Sequence, residues 1–273
     1  MALDVSLIQL FFIFLGSLCI GSFLNVVIHR LPLEESVVTP RSRCPACRNL
    51  IPWYRNIPLF SWIALRAKCG DCGARISARY PLVELLTACL LTYAAYVQPN
   101  PLAWPFAFFF LAGLVACTFI DLDHWILPDK ITLPGILVGL LSAAVAPHEL
   151  LREGPWALAN FPFYEVAESF TGILLGGGIL YFIAWAYITF AKKDGLGGGD
   201  IKFLAMVGAF LGTKGALITL IFSSMSGAVF GLFLIAFRGK KAGTAIPFGP
   251  FLSAGALLAF FFGVPSWEWY FRF

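Results

Sequence analysis

The chain has 273 residues, 59% of them hydrophobic and only 12% charged, with a net charge of +4. A soluble domain is nearer roughly 45–50% apolar and about 25% charged, so the composition excludes one and describes an integral membrane protein. Nothing in the small positive charge resembles a nucleic-acid face, whereas 28 Phe and 8 Trp suit a lipid-facing surface with interfacial anchors.

A transmembrane helix needs about 20 apolar residues. The first such run, Leu7–Ile28, has no basic segment before it and no small-x-small cleavage site after it, so it reads as a retained span rather than a signal peptide. Further spans are expected at Pro81–Val97, Leu102–Ile120, Ile131–Ala146, Phe170–Phe190, Ile201–Leu211, Ala216–Phe237 and Ile246–Phe262. The expected fold is therefore an all-α polytopic membrane protein of eight helices, with Ile201–Leu211 short for a full crossing. Between the first two spans lies a polar insert, 30–79, holding nine basic residues from Arg30 to Arg79. Lys and Arg favour the cytoplasmic side. That rule puts the insert in the cytoplasm and, by alternation, Asp121–Lys130, Lys192–Asp200 and Arg238–Lys241 as well. The outer segments then carry few bases, chiefly Arg152, Lys214 and Arg272. The outer segment Pro147–Ser169 contains acids and aromatics to which no chemistry attaches.

Within the insert, C-P-A-C (Cys44, Cys47) and C-G-D-C (Cys69, Cys72) form two knuckles 21 residues apart. Four thiolates at this spacing suit tetrahedral zinc. A reducing cytosol disfavours disulfides, and a metal explains how a polar insert with little core holds a fold. Four thiolates leave no open position for water, which makes the expected site structural. Cys19, Cys89 and Cys117 fall within spans and read as packing residues.

Two stretches place carboxylates at the ends of apolar runs: F-I-D-L-D-H-W-I-L-P-D, Phe119–Asp129, and G-L-G-G-G-D-I-K, Gly195–Lys202. An acid there loses hydration, which makes it a functional candidate. Asp121 and Asp123 point about 200° apart on a helix, so both cannot face one point in a bundle. Pro128 disfavours helix at Leu127, placing Asp129 in a turn, where it can cap the next span. Asp200 can act as an N-cap, and its glycines, among them Gly197, Gly198 and Gly199, let backbone bend and approach a peptide substrate. Lys202 is either a nearby positive charge or a membrane anchor. Two carboxylates sharing a proton can activate water, as in aspartyl proteases. The structural alternative is that all these acids only solvate the membrane edge.

Taken together, these residues identify a resemblance. G-S-F-L-N-V-V-I-H-R-L-P (Gly21–Pro32), the two CxxC pairs, N-I-P-L-F-S-W (Asn56–Trp62), R-Y-P-L-V-E-L-L-T (Arg79–Thr87), I-D-L-D-H-W-I-L-P-D (Ile120–Asp129), G-G-G-D-I-K (Gly197–Lys202) and I-P-F-G-P-F-L (Ile246–Leu252) follow the order seen in type IV prepilin peptidases. The chain resembles that family of bifunctional leader peptidases and N-methyltransferases along nearly its whole length. The resemblance implies two catalytic aspartates at Asp121 and Asp200, the first selected over Asp123 by its distance to the proline. It implies cleavage of a short basic leader from type IV prepilins or type II secretion pseudopilins at the cytoplasmic face of a bacterial inner membrane, after a glycine. It also implies methylation of the new N-terminus from S-adenosylmethionine.

On this reading 1–97 is the methyltransferase-associated region and 98–273 the peptidase region. The methyl-donor site has no Rossmann fingerprint, and Asn25, Arg79 and Glu84 are its candidates. Asn25 has the alternative of joining helices, and Glu84 that of pairing with Arg79. The competing functions are a peptidase without methyl transfer, and a transporter with a zinc-stabilised loop.

Overall fold

The computed structural model describes residues 5–98, 100–152, 163–192, 197–238 and 246–270. Gly195, Lys240, Lys241, Arg272 and 153–162 of the segment Pro147–Ser169 lie outside these. Regular structure among the described residues is helical: α1 (Leu7–Arg30), α2 (Phe60–Ala64), α3 (Arg79–Val97), α4 (Trp104–His124), α5 (Asp129–Val145), α6 (Glu149–Arg152), α7 (Tyr164–Ala191), α8 (Gly198–Arg238) and α9 (Gly249–Tyr270). The chain forms two compact units, Met1–Ala116 and Cys117–Phe273.

In the first unit, α1 opens on a capping box. The Gln9 N–H donates to Ser6 Oγ (3.3 Å) and the Ser6 N–H donates to Gln9 Oε1 (2.9 Å), which satisfies two otherwise orphaned donors. α1 packs on α3 with Gly21 at the crossing. A Cβ there would stand 2.7 Å from Glu84 Cα and 3.2 Å from Thr87 Cβ, so only glycine permits the approach. Asn25 does join the helices: its Nδ2 donates to the Tyr80 carbonyl at 3.1 Å.

In the second unit, α8 packs against α5, α7 and α9 through small residues. Gly172 of α7 meets the backbone of Gly208 on α8, Gly176 meets Leu204 O, and Gly139 of α5 meets Ala209 Cβ. Lipid offers no hydrophobic drive between helices, so close van der Waals contact of this kind holds them together. α8 counts 41 residues, but Gly212 (φ 67°, ψ −168°) leaves helical geometry and divides it. An unbroken helix of that length would run about 60 Å, twice a bilayer core. The helix restarts where Thr213 N–H donates to the buried Glu168 carboxylate (3.0 Å), a cap supplied by α7. The expected boundary between the sixth and seventh spans coincides with this break.

Five helices among the described residues are long and apolar enough to cross a membrane: Leu7–Leu33, Arg79–Val97, Pro101–His124, Tyr164–Phe190 and Gly198–Phe237. The count differs from eight because α5 stops at 17 residues, Gly249–Pro265 is a shorter apolar helix, and the two halves of α8 are taken as one.

Candidate active site

Asp121 sits in the last turn of α4. That helix ends at His124, after which Trp125 adopts a left-handed conformation (φ 60°) and its N–H closes onto the Asp121 carbonyl at 3.0 Å. Asp121 is buried and Asp123 exposed, the division that their helical spacing requires. One oxygen of Asp121 is fixed from α9: the Gly249 N–H donates to Oδ2 at 2.8 Å. A Cβ at this position would stand 2.8 Å from Oδ2 and 3.0 Å from Cγ, so any larger residue would displace the carboxylate or the helix. Sequence reasoning missed this donor. Its signals are the Gly-Pro pair at the start of an apolar run, a common helix beginning, and the stretch Ile246–Leu252 that contains it, neither of which assigns the glycine a role at the acid.

Asp200 lies in the first turn of α8, half-buried, with its N–H bonded to the Gly197 carbonyl at 3.1 Å. It is therefore inside the helix rather than its N-cap. Its carboxylate is close enough to Asp121 for the two to interact electrostatically. Two further contacts join the same segments. The Gly199 backbone rests on Leu127, where a Cβ would stand 2.9 Å from Leu127 Cβ and 3.2 Å from its carbonyl oxygen. Lys202 Nζ donates to both oxygens of Asp129 at 2.7 Å. Asp129 is thus the first residue of α5 and the partner of Lys202, not a cap; Pro128 occupies the cap position. Gly197 lies beside Asp200 Oδ2, while Gly198 faces open space. The Lys202–Asp129 pair is exposed and stabilises by about 1 kcal/mol at most. Lys202→Ala should accordingly slow any reaction at this site only a few-fold, measurable as an initial rate.

Two carboxylates from separate helices, one held by a backbone N–H, thus lie within electrostatic range of each other in the second unit. Close like charges favour a state with one carboxylate ionised and the other protonated, the combination needed for paired base and acid.

In the first unit, the cysteine knuckles are built alike. Cys44 N–H donates to Asn49 O and Arg48 N–H to Cys44 O; Cys69 N–H donates to Ala74 O and Gly73 N–H to Cys69 O. Each turn closes on a left-handed residue four places after its first cysteine, Arg48 (φ 60°) and Gly73 (φ 71°). The four Sγ atoms all lie within 4.8 Å of one another, and Cys44 and Cys72 Sγ are 3.9 Å apart. A tetrahedron with about 2.3 Å metal–sulfur bonds has edges of about 3.8 Å, so the set fits zinc. Backbone N–H groups of Cys72 and then Asp71 pull the Cys69 thiol down to about 7. The Asn49 N–H pulls Cys47 down, but desolvation and the neighbouring Cys44 and Cys72 thiols outweigh it and push it up to about 11. Purified protein should carry about one zinc per chain, and Cys→Ser at any of the four should remove it; metal analysis that finds no zinc in the native chain would contradict this.

A cavity of about 460 Å³ opens between α1, α3 and the insert, within the size range of small-molecule sites. Asn25 and Glu84 line it; Arg79 does not. Glu84 is buried, and its Oε2 accepts the Leu59 N–H at 2.8 Å. The cavity combines aromatic walls (Trp62, Tyr80), the buried Glu84 carboxylate and four arginines (Arg30, Arg43, Arg55, Arg75), a lining that suits an adenosyl group carrying both a cationic centre and a carboxylate.

Residues 15–98 match the family model described as Bacterial Peptidase A24 N-terminal domain, and residues 108–232 match the one described as Type IV leader peptidase family. Among curated proteins, the chain is 44% identical over 235 residues to a prepilin leader peptidase/N-methyltransferase of Myxococcus xanthus, covering 84% of this chain and 64% of that protein. It is 38% identical over 283 residues to the protein of that description from Aeromonas salmonicida, with 94% and 92% covered. The Pseudomonas aeruginosa protein is 36% identical over 287 residues, with 94% and 91% covered. No solved structure matches the chain.

Proposed function

The chain belongs to the type IV leader peptidase family, and we propose that it removes the leader from type IV prepilins or pseudopilins and N-methylates the residue thereby exposed. What supports the peptidase half is that Asp121 and Asp200, on separate helices of the second unit, lie within electrostatic range of each other, with Asp121 held by the Gly249 N–H. One carboxylate takes a proton from water as the water oxygen bonds to the scissile carbonyl carbon. The other gives a proton to the departing amide nitrogen as the C–N bond breaks. Gly249 holds Asp121 in orientation, and Gly199 lets α8 approach closely enough to present Asp200. A transporter needs neither this pairing nor a backbone donor on one acid, and is set aside.

The membrane arrangement is eight spans, counting α5, α9 and both halves of α8, in a bacterial inner membrane with both acids at the cytoplasmic boundary. A prepilin lies with its apolar helix in the lipid and its basic leader in the cytosol, so the cut site rests at that boundary. Region 98–273 carries cleavage, and region 1–97 carries methyl transfer on a frame stapled by one structural zinc at Cys44, Cys47, Cys69 and Cys72. S-adenosylmethionine supplies an electrophilic methyl when bound. The chain's part is to hold that donor beside the substrate's new amine and to keep water out; Asn25 and Glu84 would hold the donor.

Mass spectrometry of a prepilin co-expressed with this chain, in cells lacking their own peptidase, tests the function. Leader loss and one added methyl are expected. Leader loss without methylation would leave a peptidase only, and an intact leader would contradict the proposal. A soluble peptide of the leader and first mature residues should be a poor substrate, because it lacks the helix that raises local concentration and orients the bond. Equal turnover of peptide and full-length prepilin would eliminate approach through the lipid.

A further inference from the structure

Glu84 is buried, and the contacts that the structure gives its carboxylate are to the Leu59 N–H and the Ser22 hydroxyl, not to a cation, while Arg30, Arg43, Arg55 and Arg75 line the same cavity and can take the carboxylate of a zwitterionic guest. A buried carboxylate without an opposite charge is costly, and the cost is offset when a cation binds beside it. The group that Glu84 holds is also unusual. Leu59 lies at φ 58°, ψ −51°, with the Phe60 N–H donating to Pro58 O at 2.6 Å, a γ-turn of rare, strained geometry. The turn faces the cavity wall and leads into α2, whose Trp62 also lines the cavity. Trp62 is pinned by its Nε1–H to the Ile76 carbonyl at 3.2 Å, so the indole is fixed as a wall. On the α1 side, Asn25 gives its amide protons to backbone carbonyls, which points to its Oδ1 as the group left to accept a bond from a guest. The far wall is the second cysteine knuckle. There Arg55 pairs with Asp71 at 2.6 Å and packs on Gly70 so closely that a Cβ would stand 2.7 Å from its Nη1.

We propose that this cavity is the methyl-donor site, with the Glu84 carboxylate facing the cationic sulfonium and Trp62 forming the flat wall against the adenine. The proposal rests on the methyl-transfer reading above and adds its location and the group that recognises the charge. Glu84 thereby does two jobs: its Oε2 anchors the strained turn, and its carboxylate charge faces the cation. Its pairing with Arg79, one sequence expectation, is replaced by these contacts.

The test is direct binding by the purified full-length chain in lipid nanodiscs, without peptide substrate. The probes are S-adenosylhomocysteine, a neutral thioether, and sinefungin, which carries an amine in place of the sulfonium. The native chain should prefer sinefungin by about tenfold, the effect of one partly screened charge pair. Glu84→Gln still accepts the Leu59 N–H but has no charge; it should abolish the preference and leave S-adenosylhomocysteine affinity within about twofold of native. Trp62→Ala should weaken both analogues alike. Zinc content reports whether each variant keeps its insert folded, and Trp62→Phe serves if Trp62→Ala does not. A native chain that methylates prepilin, yet whose preference survives Glu84→Gln and whose affinities survive the Trp62 variants, overturns the cavity assignment while leaving methyl transfer intact. A native chain that neither binds the analogues nor methylates overturns both.

Discussion

Asp121→Asn and Asp200→Asn should each slow leader cleavage by about 10²–10⁴-fold or more, the range that a positioned acid or base contributes. Asparagine keeps the shape of the side chain but cannot exchange the proton. The surroundings favour a clean result at the first position, because the amide oxygen introduced by Asp121→Asn can still accept the Gly249 N–H and the α9 contact survives. Asp123→Asn is the control: it lies on the same helical turn but is exposed, and should retain most activity. Rates measured with full-length prepilin in detergent or liposomes decide the matter. An active Asp121→Asn beside a dead Asp123→Asn would move the proposed acid by two residues.

The second large effect comes from residues with no side chain. Gly249→Ala inserts a methyl that meets the Asp121 carboxylate at 2.8–3.0 Å, a distance that real Cβ atoms do not hold, so either α9 or the carboxylate must move. A displacement of about 1 Å costs about 10²-fold at a catalytic pair. Gly199→Val should act from the other side, since its Cβ collides with Leu127 Cβ and crowds the Leu127 carbonyl oxygen, lifting the first turn of α8 and carrying Asp200 away. Gly198→Ala is the matched control, because nothing stands near that position, and it should cleave at close to the native rate. If Gly198→Ala is as damaging as Gly199→Val, the run acts through flexibility rather than close approach.

That contrast also shows what the sequence conveys and what it hides. The glycine run reads as flexible backbone when only composition is available. In the fold, Gly199 is helical, and its requirement is steric, set by a loop 72 positions earlier in the chain. Composition and apolar run length suffice to find the long helices, and even the position of the break in α8, because a 41-residue apolar stretch cannot cross once. CxxC spacing suffices for the knuckles, since their geometry is local. The separation of Asp121 from Asp123 follows from helical periodicity alone. Gly249, Leu59 and the Lys202–Asp129 pair were not legible. Each depends on which distant segments pack together, and no local pattern carries that: the Gly249 N–H to Asp121 bond spans 128 residues and the Lys202 pair 73. Asp129 illustrates the point, being a reasonable cap by its position but claimed in the fold by a lysine from another helix.

The central claim is that Asp121 and Asp200 act as one unit on one bond. The double variant Asp121→Asn/Asp200→Asn tests it most directly, measured by cleavage rate against both single variants in the same membrane preparation. Residues that act as a unit are strongly non-additive, because removing either already abolishes the shared step. The account predicts that the double variant cleaves as slowly as the slower single variant and no slower. Losses that multiply, so that each substitution costs the same factor with or without the other, would mean that the two carboxylates work independently and would contradict the account.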